Sequence, residues 1–288
     1  MLRLQQTLPT PNGVQPNGTG SLNLPLGRTY YSLSMDISDG ANITNAASLD
    51  ARIQNIRLKL NGTVIRQYNT MTELININKM HGIETLFNTT NNTARVVFYF
   101  AEPQRRTPLG EDIFAWQCYE KLGINSFNIE FDITSTASAS INVQMSCDYA
   151  QLSAASLDKM TFGNIIWHSS QLLPNDGAGL PTISTLQRTA YTRIHAYAAK
   201  NASTQVLAGA KVKVNDLIIR EFRSYYEYQA YMFANGLNTI ENWLTIPFDE
   251  TNRYDELLDL RKANSFIIEY STAAANSITL LLEELKGL

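Results

Sequence analysis

An all-β fold of two β-sandwiches in tandem, with short helices in the connections, is what this 288-residue sequence predicts. Three observations lead there. The two halves match one another segment by segment in the same order, short apolar-alternating runs bounded by turn residues dominate both, and no β-α-β rhythm with glycine-rich crossovers occurs. For two copies of about 100 to 130 residues, a double jelly roll is the economical arrangement. The first sandwich is expected over residues 21–150 and the second over 184–288, its repeat ending near 286. An N-terminal arm, 1–20, and a connector, 151–183, are both rich in turn residues and so expected to be ordered by what they touch.

Each element has a reason in the residues. Arg28-Thr29-Tyr30-Tyr31 opens the first copy opposite Arg188-Thr189-Ala190-Tyr191 in the second, and strands follow over Tyr31–Ile37 and Ala190–Ala198. Next come two hairpins, Arg57–Arg66 turning on Asn61-Gly62 and Lys211–Arg220 turning on Asn215-Asp216. Both central residues of a type I′ turn need positive φ, which Asn, Gly and Asp tolerate. A two-residue turn pairs Leu58 with Ile65 and Val212 with Ile219, leaving Arg57, Lys59, Lys211 and Lys213 on the other face. Thr70-x-x-Glu73 and Ser224-x-x-Glu227 are capping boxes that start a helix in each copy, and Gly82 and Gly236 suit left-handed C-terminal caps. Strands at Val96–Phe100 and Leu244–Phe248 follow, then second helices at Glu111–Leu122 and about Arg253–Lys262. Asn125-Ser126-Phe127 and Asn264-Ser265-Phe266 begin matching strands, and Ile141–Tyr149 and Ser277–Leu282 close the copies. Six strands per copy are legible.

Composition excludes several functions. With 23 basic against 26 acidic residues and a net charge of -3, no basic block exists to neutralise a phosphate backbone, so direct nucleic-acid binding is not expected. No run approaches the roughly 20 apolar residues of a membrane span, and residues 1–27 lack the apolar core of a signal peptide, which predicts a soluble protein made in a cytoplasm. The Asn-x-Ser/Thr triplets are accordingly read as chance. Cys118 and Cys147 are read as small buried hydrophobes.

Leu24-Pro25-Leu26-Gly27-Arg28-Thr29-Tyr30, the Ile56–Tyr68 hairpin with its Thr70 helix, the Phe98–Pro103 strand end and Ile267-Ile268-Glu269-Tyr270 together give the chain a family likeness. It resembles the major capsid proteins of corticovirus-type tailless bacteriophages with an internal membrane, within the double jelly-roll capsid lineage. The likeness spans nearly the whole chain and rests on order, spacing and duplication. It implies two eight-stranded jelly rolls, homotrimers of pseudo-hexagonal outline, and an icosahedral shell around a membrane, with synthesis in the host cytoplasm. Its partners would be copies of itself and minor capsid or membrane-associated virion proteins. The turn-rich composition of the arm is read as a segment that touches either a neighbouring trimer or the membrane-proximal layer.

No catalytic signature is present: GxSxG, HExxH, P-loop and complete GxGxxG patterns are missing, and His81, His168 and His195 are spread over a helix end, the connector and a strand. The chain is read as no enzyme and as needing no cofactor. Among Asp249, Glu250, Asp255, Glu256 and Asp259, the first three are the candidate ligands for a divalent cation, calcium best. The competing reading makes the later acids a solvated helix face. Asp36–Gly40 lacks the closing Glu of a calcium loop. Tyr225, Tyr228 and Met232 share one helix face, either as core or as an intersubunit contact. The rival function is a carbohydrate- or receptor-binding module, against which Trp116, Trp167 and Trp243 occupy different places in the repeat.

Overall fold

The structure is a computed structural model and describes residues 3–40, 43–102, 114–158, 162–174, 181–198, 206–249, 257–273 and 277–288. It divides into two units, residues 1–166 with 287–288, and residues 167–286.

The first unit contains β1 (Leu4–Thr7), β2 (Thr19–Asn23), β3 (Arg28–Ser38), α1 (Ala46–Asp50), β4 (Ile53–Leu60), β5 (Thr63–Thr70), α2 (Met71–Met80) and β6 (Leu86–Asn88). These are followed by β7 (Thr93–Tyr99), β8 (Trp116–Cys118), a 3-10 turn at Glu120–Leu122, β9 (Phe127–Ile133), β10 (Asn142–Ala150) and α3 (Ala154–Leu157). One sheet runs β1-β10-β3-β7-β6, with β8 against the start of β3, and the other runs β2-β9-β4-β5. Alternation explains the layering, since β9 and β7 bury every second residue. The core is aromatic: Phe100 stacks on Trp116 at 4.4 Å between ring centres, and Phe127 meets both Trp116 and Tyr30 at 5.2 Å.

The second unit repeats the plan with β11 (Ile165–Leu173), β12 (Thr182–Ile183), β13 (Ala190–Ala198), β14 (Leu207–Val214), β15 (Leu217–Phe222), α4 (Tyr225–Ala234) and β16 (Trp243–Pro247). Then come β17 (Leu258–Asp259), a 3-10 turn at Leu260–Lys262, β18 (Phe266–Thr272) and β19 (Ile278–Lys286). Its sheets run β11-β19-β13-β16, with β17 against the start of β13, and β12-β18-β14-β15. Strand for strand, these are the orders β1-β10-β3-β7 and β2-β9-β4-β5 of the first unit. The two copies therefore share a set of eight strands in two sheets of four, to which the first adds β6 and β8 and the second adds β17.

The duplication reaches further than the segments that betray it in sequence. The two strands missing from each copy lie in the stretches taken as arm and connector: β1 and β2 in the first, β11 and β12 in the second. The arm pairs along β10 from Leu4 to Thr7, Leu8 N–H donates to Met145 O, and β2 begins at Thr19, so the arm is part of its own sandwich. Leu-Gln-Gln-Thr carries no apolar alternation; backbone pairing with β10 and a hydrogen bond from Arg28 Nη1 to Gln6 Oε1 at 2.7 Å hold it.

The predicted second helices are also corrected. Trp116–Cys118 and Leu258–Asp259 are short strands against β3 and β13, each followed by a 3-10 turn. In the first, Trp116 and Cys118 are buried and Gln117 is not, a period of two that a helix would break. The remainders of those stretches, 111–113 and 253–256, lie outside the described residues.

Both hairpins turn on the predicted two residues, with φ of 50° and 78° at Asn61-Gly62 and 49° and 64° at Asn215-Asp216. Their registers differ from expectation: Leu58 faces Arg66 and Val212 faces Arg220, because Ile65 and Ile219 are bulged out at the same place in each copy. The basic face finds partners, with Lys59 Nζ 2.6 Å from Glu130 and Lys213 Nζ 2.7 Å from Glu269 at equivalent sites. At both tips the asparagine Oδ1 accepts two backbone N–H groups, Asn125 and Ser126 for Asn61, Asn264 and Ser265 for Asn215.

The helix caps hold, with one refinement: Glu73 and Glu227 accept from the N–H of Asn69 and Arg223, one residue before the N-cap. Thr70 and Ser224 accept from Glu73 and Glu227 N–H, and Ile83 N–H to Asn78 O and Leu237 N–H to Met232 O close both C-termini past a left-handed glycine.

Asn215→Ala is expected to cost about 1 to 3 kcal/mol, because it removes an acceptor from two N–H groups and puts a Cβ-bearing residue without amide at positive φ. Asn215→Asp keeps the acceptor and should stay nearer wild type, with denaturant unfolding as the measurement. Cys118 and Cys147 are buried, and burial pushes both thiols up. Neither should react with a maleimide until the protein is unfolded.

Candidate assembly surface

The histidines that look scattered in sequence do not all stay apart. His195 on β13 and His168 on β11 converge on Glu283 of β19, with Nε2 to Oε1 distances of 3.1 and 4.0 Å. Arg193 Nη1 donates to the same carboxylate at 2.8 Å, Thr192 Oγ1 donates to it at 3.2 Å, and Arg193 Nη2 donates to Asp249. Trp243 Nε1–H donates to Thr245 Oγ1 at 3.0 Å, the same hydroxyl lies 2.9 Å from His195 Nδ1, and the Glu283 carboxylate accepts from the N–H at His195 Nε2. Pairing of β13 with β19 sets Arg193 opposite Glu283, with His195 two residues along on the same face, and only tertiary pairing shows it.

This cluster is structural. Its arginine, carboxylates and histidines have side chains no more than 4% exposed, so no substrate meets them. Burial opposes ionisation of Glu283, but Arg193 and His195 outweigh it and hold the carboxyl well below the usual carboxylate range.

The cation candidates come apart. Asp249 is buried and committed to the Arg193 guanidinium, and Glu250 and Asp255 lie outside the described residues. Asp259 caps the 3-10 turn by accepting from Arg261 N–H, and its carboxylate pairs with the Arg261 guanidinium at 2.7 Å. Asp36 pairs with Arg95 and Asp39 with Arg52, so Asp36–Gly40 is ion-paired surface and turn. Among the described residues no group of three or more His, Cys, Asp or Glu side chains is placed to hold a metal, and no helix is long and apolar enough to cross a membrane.

The exterior is more informative. Of the eight large apolar side chains exposed among the described residues, five fall between 217 and 233: Leu217, Ile218, Ile219, Tyr226 and Phe233. Here α4 folds back along β15, with Tyr231 5.1 Å from the Phe222 ring and under the Arg220 guanidinium. Tyr228 and Met232 are buried and Tyr225 Oη donates to Ile240 O, so the face read as core or interface is core. The opposite face is the exposed one.

Two antiparallel sandwiches in tandem, sharing one eight-strand order, are the architecture of the double jelly-roll capsid proteins. Residues 5–153 match the viral coat protein P2 N-terminal domain and residues 168–288 the viral coat protein P2 C-terminal domain. The chain belongs to that coat protein family; it is a structural protein of the virion capsid and no enzyme. No curated protein sequence matches it.

The fold is likewise similar to solved capsid proteins. The major capsid protein P2 of bacteriophage PM2 is 18% identical, with 100% of both chains covered and a TM-score of 0.80. In Sulfolobus turreted icosahedral virus a chain 12% identical covers 98% of this one, over 90% of its own length, at a TM-score of 0.74. The PBCV-1 capsid gives 10% identity, 99% and 93% coverage and a TM-score of 0.66.

Glu283→Gln should destabilise the second unit by about 3 kcal/mol at neutral pH, since it leaves a buried guanidinium short of one counter-charge. The folded pKa is depressed, so this stabilisation is complete above the unfolded value near 4.5 and is lost as pH falls through the folded one. The gap between wild type and variant in denaturant unfolding should be constant above about pH 5.5 and shrink below about pH 4.5.

Proposed function

We propose that three copies of this chain form a capsomer of pseudo-hexagonal outline, and that such trimers tile an icosahedral shell around an internal membrane. One observation carries the reading. Each chain holds two complete sandwiches with the same eight-strand order, so a closed ring of three presents six like lobes to its neighbours. Membership in a coat protein family and likeness to capsid proteins support assembly with copies of itself. The internal membrane and contacts with minor virion proteins rest on the corticovirus-type resemblance. The near-neutral charge, -3 over 288 residues, suits close lateral packing without strong mutual repulsion.

Light scattering on the purified full chain should give a species of about 97 kDa, three times 32.3 kDa, with a hexagonal outline in negative stain. A persistent monomer, alone and with lipid vesicles, would overturn the reading.

A further inference from the structure

The internal repeat offers a control for every surface position, because the same fold occurs twice with different side chains. Aligning the hairpin asparagines and the helix N-caps sets Leu217 against Thr63, Tyr226 against Thr72, and Phe233 against Lys79. At all three positions the first copy is polar and the second is a large apolar residue. In the second copy none of the three is buried: Leu217 is 67% exposed, Tyr226 81% and Phe233 84%.

The first copy shows what the fold does with this face when it is covered from within. There α1 packs on α2, and Asp50 accepts hydrogen bonds from both the N–H and the hydroxyl of Thr72, the counterpart of Tyr226. Seven of the ten residues of α2 are buried, against Tyr228 and Met232 alone in α4.

Tyr226 and Phe233 lie two turns apart on one helix face, beside an edge strand whose first three residues are Leu217, Ile218 and Ile219. Edge strands ordinarily carry charge or proline against unwanted pairing. From their fractional exposures these five side chains present roughly 600 Å² of surface in total, most of the ~800 Å² that one partner contributes to a stable interface.

On these grounds we infer that the β15–α4 face of the second unit docks on a second copy of this chain, the next subunit of the capsomer. The inference rests on the capsid reading and names its contact. A ring of identical chains needs a heterologous contact, in which a patch on one subunit meets a different surface on the next. A surface exposed on one copy of the repeat, three of whose five side chains are polar in the other, meets that requirement.

The test uses the full chain. Tyr226→Glu with Phe233→Glu should raise the concentration needed for trimers at least tenfold by light scattering, with far-UV circular dichroism and melting temperature unchanged. Leu86→Glu, at a residue 67% exposed in the first unit, should assemble as wild type does. A second measurement does not depend on disruption: Phe233→Cys should react with a maleimide freely in dilute monomer and at least tenfold more slowly in the assembled state. If wild type assembles and the double Glu variant assembles at the same concentration, or the introduced thiol reacts equally in both states, the inference is overturned and the face belongs to a different partner. If wild type never leaves the monomer, the capsid reading itself fails, and this contact with it.

Discussion

At the tip of each hairpin, one amide oxygen ties together parts of the chain that sequence keeps far apart. Asn61 Oδ1 takes the N–H groups of Asn125 and Ser126, and Asn215 Oδ1 those of Asn264 and Ser265, 49 or more residues downstream. The backbone N–H of each asparagine donates in return to Ser126 O or Ser265 O at 3.0 Å. This clasp sets where β9 begins against β4 and where β18 begins against β14. A slip of one residue there would turn every side chain of the strand to the wrong face. The Lys59–Glu130 and Lys213–Glu269 pairs and the buried phenylalanines of both strands depend on that register.

Sequence reasoning succeeds where the signal is local. Positive-φ turn residues, capping boxes and left-handed glycines are chemistry within a few residues, and the structure has them at the predicted positions. It fails where the cause is distant. Leu4–Thr7 is a strand because β10 offers it an edge, and nothing in Leu-Gln-Gln-Thr announces that. The bulges at Ile65 and Ile219 answer to the neighbouring strands, and the convergence of His168, His195 and Glu283 exists only after β11, β13 and β19 lie side by side. Glu, Lys and Leu suit a helix in isolation, but pairing of Trp116–Cys118 with β3 makes a strand of part of the expected second helix.

The two copies share topology and clasps but differ in their buried groups. The first is packed with rings, Phe100, Trp116, Phe127 and Tyr30, with the Arg66 guanidinium over two of them and donating to Tyr99 O. In the second, Ile194, Ala196, Leu244, Ile246, Leu280 and Leu282 are buried on one face of β13, β16 and β19, and Arg193, His195 and Glu283 are buried on the other. Apolar cores tolerate repacking when volume is kept, whereas a buried ionic network admits few partners at each position. The second copy thus adds charge matching to shape.

The completeness of each copy bears on how the chain arose. The eight shared strands run through the first copy before any of them in the second, and each set begins with the strand that lies beside its last. A single in-frame copying of one ancestral reading frame, lead strand included, produces that order with no permutation and no exchange of strands. The ancestor it implies was a chain of one sandwich with both sheets already whole, and on the proposed trimer six such chains, rather than three, would have closed the same ring.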